Sequence, residues 1–64
     1  METIEILKEK AREQTTEMIL ECIRTIGGGF VSVEERMVRA ALIDVYAERT
    51  SNADADTLMD EIGL

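Results

Sequence analysis

Histidine, proline and tryptophan are absent from this chain, and cysteine, phenylalanine and tyrosine occur once each. Each shortage removes a class of behaviour. Without histidine, the commonest metal ligand and the usual general base are both missing. One thiol, Cys22, forms no intrachain disulfide. Unbroken apolar runs reach only a few residues, far short of the roughly 20 that a membrane-spanning helix needs. The opening METIEILKEK mixes charge with apolar side chains and lacks the apolar core of a secretion signal. A single reduced thiol without such a signal points to the cytoplasm.

What the chain has is acid. Fourteen Asp and Glu stand against seven Lys and Arg, for a net charge of −7 over 64 residues. Residues 51–64 alone carry four acids and no base. Such a surface repels nucleic acid and anionic membrane, and suits a basic protein partner or plain solubility. A chain this short makes one domain near the lower size limit for a self-sufficient core. Small chains gain stability from disulfides, metals or oligomerisation. With the first two disfavoured by composition, oligomerisation is expected.

The chain reads as all-α, a single small helical domain over residues 1–64. The first helix is expected from about Thr3, its N-cap, to Ile26. Ile4, Leu7, Ala11, Thr15, Met18, Cys22 and Ile26 recur at the helical period and mark one face, widened by Ile19 and Ile23. Glu5, Glu9, Glu13, Glu17 and Glu21 lie opposite. Thr15-Thr16 is a soft point in propensity; the rhythm runs through it, so one long helix is expected in preference to two. Gly27-Gly28-Gly29 ends that helix. It is no phosphate cradle, because a P-loop needs Gly-Lys-Ser/Thr after its spacer and no lysine follows.

Phe30-Val31-Ser32-Val33 admits two readings. As a helix entry, Ser32 caps and Glu35 completes a Ser-x-x-Glu capping box. As a strand, F-V-S-V would need a partner strand. The capping box is preferred. The second helix runs from about Val33 to Thr50, and its A-A-L-I-D-V-Y-A stretch (Ala40 to Ala47) holds one charge, Asp44. At 100° per residue its apolar positions point in every direction, and a helix apolar all round must be covered all round. Val33, Met37, Ala40 and Ala47 are expected against the other helices. Val38, Leu42, Val45 and Tyr46 are then left for a twin across a two-fold axis, with Tyr46 as anchor. A third, short acidic helix follows from about Ala53 to Ile62, with Ala55, Leu58, Met59 and Ile62 as its stripe. Gly63 and Leu64 form its Schellman closure. The expected architecture is thus a three-helix unit in a homodimeric helical bundle.

Catalysis is disfavoured. Cys22 lies on an apolar stripe, where a thiol is an inert small hydrophobe, and no base is placed beside a nucleophile. No cofactor is implied. A metal site is not expected either: the glutamate row points away from the apolar stripe, and Asn52-Ala-Asp-Ala-Asp56 lacks the glycine and distal glutamate of a calcium loop. The order of F-V-S-V, helix, T-S-N turn and helix resembles a ribbon-helix-helix layout. Such DNA readers need basic residues on the strand or reading helix, and the strand here has none.

The sharpest feature is the acidic row. Lys8 and Arg12 are in reach of Glu5 and Glu9, whereas Glu13, Glu17 and Glu21 have only Lys10 and Arg24 nearby. Like charges four apart destabilise a helix slightly. The row, with Leu20 among it, is therefore read as a docking ridge: Glu13, Glu17, Leu20 and Glu21 bind a basic protein surface. The expected function is a non-enzymatic protein–protein interaction module. Its alternatives are an acidic inhibitor that fills the basic groove of a nucleic-acid-binding protein, and a small dimeric transcriptional regulator.

Overall fold

The computed structural model describes residues 4–64. It contains four helices: α1 (Ile4–Arg12), α2 (Thr16–Ile26), α3 (Val33–Arg49) and α4 (Asn52–Ile62). The all-α class holds, and no strand occurs among the described residues. The three-helix unit is corrected, because the long first helix is two. Thr3, the expected cap of the first, lies outside the described residues.

The break has a local and a distant cause. Locally, Thr15 adopts an extended conformation, and its hydroxyl accepts from the Met18 amide at 3.2 Å, capping α2. The last turn of α1 tightens through Glu13 N–H to Lys10 C=O and Gln14 N–H to Ala11 C=O. The distant cause is Arg49, at the end of α3. Its guanidinium donates to the carbonyls of Gln14 (2.5 Å) and Arg12 (2.7 Å) and, more weakly, to the Thr16 hydroxyl. A cation there satisfies the orphan carbonyls that α1 leaves at its C-terminus.

The chain reverses direction at this break. Lys8 sits beside Asp44 and Arg12 beside Glu48, so α1 runs along α3 in the same sense. Thr16 sits near Arg49 and Gly27 near Arg39, so α2 runs the opposite way. With α4 folding back after a two-residue turn, the order is up-down-up-down, and α3 touches each of the other three helices.

The core is the seam where they meet: Ala11 of α1, Ile19 and Ile23 of α2, Ala41, Leu42, Ile43 and Val45 of α3, and Ala55 and Leu58 of α4. Ile19, Ile23 and Val45 have no exposed surface. The radius of gyration is 10.8 Å, close to the roughly 10.7 Å of a compact single chain this long.

This burial overturns the premise for a side-by-side twin. Of the residues expected to face it, Leu42 and Val45 are inside the chain's own core, and Val38 and Tyr46 are half-buried against it. Of the residues expected against the other helices, Val33 and Ala40 are exposed, Met37 is half-buried, and Ala47 is half-buried against the core. The outward arc of α3 is Val33, Arg36, Ala40 and Asp44, at helical spacing. That arc holds mostly short or charged side chains, and leaving alanine in water costs little.

The remaining ends follow local rules. Ser32 caps α3, accepting from the Glu35 amide and donating to the Glu35 carboxylate, both at 3.1 Å. That resolves Phe30–Val33 as a helix entry. Ser51 caps α4, so the helix begins at Asn52. Gly63, at φ 86°, and Leu64 close α4 through Gly63 N–H to Asp60 C=O and Leu64 N–H to Met59 C=O, the Schellman pattern. Arg39 is buried and donates to the Gly27 carbonyl at 2.6 Å, fastening the glycine turn to α3. Gly28 is where the turn passes α4: a Cβ there would collide with the Ile62 carbonyl, whereas one at Gly29 meets nothing.

Two outcomes follow from this packing. Leu42→Glu buries an unpaired carboxylate at a cost of several kcal/mol, against a total stability of about 3–10 kcal/mol for a chain this size. Circular dichroism should therefore show an unfolded chain; a folded monomer would place Leu42 at the surface instead. Gly28→Ala should lower stability in urea titrations by about 1–3 kcal/mol, while Gly29→Ala stays within about 0.5 kcal/mol of the parent.

Candidate protein-interaction surface

The surface sites depend on where the cations go. Lys8 lies 3.3 Å from Asp44 and 4.0 Å from Glu5. Arg12 makes a two-pronged contact with Glu48, at 2.8 and 3.2 Å, instead of pairing with Glu9. Arg24, which stands one turn from Glu21, turns away to Glu61 of α4 at 2.9 Å. Arg39 and Arg49 are engaged by backbone carbonyls. Apart from Lys8–Glu5, which lies within α1, each of these contacts joins one element to another. Among the described residues, none of these contacts pairs a cation with Glu17 or Glu21 of α2.

The acidic row is not continuous. Glu5 and Glu9 stand on α1, Glu13 falls in the connection, and Glu17 and Glu21 stand on α2. Glu17, Leu20 and Glu21 are brought together and line a shallow depression of about 370 Å³ with Arg24 and Thr25. Glu13 is not part of that lining. Leu20 is half-buried, its inner side packed on the core. Thr25 is no free donor, because its hydroxyl is bonded to the Glu21 carbonyl at 2.8 Å.

On the other side of Glu21 lies a feature that periodicity alone concealed. With Ile19 and Ile23 turned inward, Met18, Cys22 and Ile26 are left on the flank of α2. They face Val38 and Leu42 of α3 across an apolar groove of about 390 Å³, closed by Gln14 at one end. Met18 is 51 % exposed. The Gln14 side-chain oxygen is buried there without a hydrogen-bond partner. Glu21 and Thr25 border both hollows, so Glu21 is the crest between an acidic depression and an apolar groove.

A second apolar projection stands elsewhere. Phe30 is fully exposed beside Gly28, Gly29, Arg36 and Arg39, and Val33 is 71 % exposed. The capping turn ties down Ser32 and leaves Val33 outward, while Val31 is half-buried. Cys22 is free and half-buried in the groove wall. Among the described residues, no three of His, Cys, Asp and Glu converge as a metal site would require, and no helix is long and apolar enough to cross a membrane. The chain matches no protein family, no curated protein and no solved structure.

The Arg12–Glu48 contact gives a pH dependence with a definite sign. Its hydrogen bond, then the nearby positive charge, lower the Glu48 carboxyl below its usual 4.5. A carboxyl lowered by folding adds stability above its unfolded value and loses it as the pH falls through the folded one. The parent should therefore lose stability as the pH falls below 4.5, and Glu48→Gln should show a shallower fall in thermal denaturation over the same range.

Proposed function

We propose that the protein is a non-enzymatic interaction module that docks a basic, partly apolar protein surface through α2. Glu17 and Glu21 pair with the partner's cations, and Leu20 and Met18 receive its apolar side chains. The observation that carries this reading is the position of Glu21, between a depression shared with Glu17 and Leu20 and a groove walled by apolar side chains. An interface needs both components: apolar burial for affinity, and charge for approach and orientation. Carboxylates that no internal cation neutralises keep their field for that purpose.

Glu13, in the connection, contributes charge at the edge. The same carboxylates repel phosphate, so direct binding to nucleic acid or to anionic membrane is left out of the proposal. An inhibitor seated in the basic groove of a nucleic-acid-binding protein is one form this module would take, supported by the same unpaired acids. A cytoplasmic setting is part of the proposal, supported by the lone thiol.

Capture from native extract at low and high salt, followed by mass spectrometry, tests the reading. Partners with basic surfaces should be retained at low salt, released as salt rises, and lost from a Glu13→Gln, Glu17→Gln, Glu21→Gln variant that remains folded. A triple variant that captures the same partners equally well would refute it. Duplex DNA competing for the captured partner singles out the inhibitor form.

A further inference from the structure

The connection at residues 13–15 contains neither glycine nor proline. Nothing in its backbone chemistry forbids a helix, in contrast to the triple glycine after α2. The apolar rhythm Ile4, Leu7, Ala11, Met18, Cys22, Ile26 runs across it in helical phase. In the reversed form, the Gln14 side-chain oxygen is buried without a partner. What holds the reversal is the Thr15 cap and one side chain from 33–37 positions away, Arg49.

What holds α1 in place lies on α3. Ala11 packs in the core, Lys8 meets Asp44, and Arg12 meets Glu48. None of these contacts requires that α1 and α3 belong to the same molecule. Because α1 and α2 run in opposite senses along α3, straightening the connection swings α1 off its own α3 and exposes the face it covered. The segment shaped to refill that face is α1 of a second copy.

We infer that two copies of the chain exchange α1. In the exchanged form, residues 4–26 make one helix about 34 Å long, and each α1 lies on the other copy's α3. The Lys8–Asp44 and Arg12–Glu48 contacts are remade between chains. The amides around residues 13–15 gain regular helical hydrogen bonds, and the Gln14 side chain reaches water. Lost are the Arg49 contacts, the Thr15 cap and the freedom of the second molecule. Exchange of an identical element is a low-cost route to a dimer. Arg49 is the latch that sets how much protein it takes.

The test uses the whole chain in unlabelled and nitrogen-15-labelled forms, unfolded together and refolded at millimolar concentration. Monomer and dimer are separated by size, then treated with a carbodiimide, which joins the Lys8 amine to the Asp44 carboxylate as an amide with loss of water. In the dimer, digestion should yield Lys8–Asp44 peptides of mixed isotopic mass; in the monomer, only unmixed ones. Arg49→Met should shift the dimerisation constant toward dimer by roughly tenfold or more, since each dimer forms from two released latches. Thr15→Ala, which removes the α2 cap without touching Arg49, should shift it the same way, and Gln14→Gly should oppose it. A dimer with only unmixed peptides overturns the inference. So does the absence of dimer from the parent and from both latch variants at millimolar concentration.

Discussion

The constraint on which the structure depends is that α3 must be buried along more than half its circumference by a chain with few residues left to do it. Its inward arc runs from Ala41 through Val45 and Leu42 to Arg39 and Ile43. One straight helix beside it would cover one strip. Folding the N-terminal segment into a hairpin places two helices there, and α4 closes the third side. The reversal at Thr15 is therefore what makes a single small core possible. The glycine turn serves the same end, since Gly28 lets α4 approach where any side chain would hold it off.

That economy also settles the charges. Arg12, Arg24, Arg39 and Arg49 each tie one segment to another, through Glu48, Glu61, the Gly27 carbonyl and the end of α1 respectively. Exposed ion pairs contribute little stability individually. Their positions still matter, because each sits where a connection or helix end would otherwise be held only by a few short residues. In a chain with twice as many acids as bases, using the bases internally leaves the acids of α2 facing out. The acidic face is in this sense a by-product of how the fold is fastened.

Local signals were legible in the sequence. Ser32 and Glu35, the Gly63-Leu64 closure and the α4 stripe of Ala55, Leu58, Met59 and Ile62 all act within a few residues, and the structure has them all. The break in the first helix was not legible as such. Thr15 suits a helix interior poorly and an N-cap well, and the choice is made by Arg49, far along the chain. The inward side of α3 was only partly legible for a related reason: a segment apolar on every side offers no contrast by which to orient it, so Ala47 was placed inward correctly and Val33 and Ala40 were not. Counting alanine with leucine made it look as though a second molecule had to cover it. Of the candidate site, Glu17, Leu20 and Glu21 stand together as their spacing implies. The groove beside them needs the folded α3 to supply its other wall.

The unbroken rhythm through residues 4–26 is a property of the sequence that the hairpin only half uses. Ala11 goes into the core from the first half, but past the break the inward residues become Ile19 and Ile23. Met18, Cys22 and Ile26, in phase with the first half, are left along the groove. Had the break been the only state for which these residues were suited, a polar side chain at 18 would serve as well and expose less apolar surface. Their apolar character is explained if something covers that flank, whether a partner's side chains or the environment of a straightened helix. The groove and the hinge are thus two consequences of one mismatch: a sequence periodic enough for one long helix, folded by a distant arginine into two.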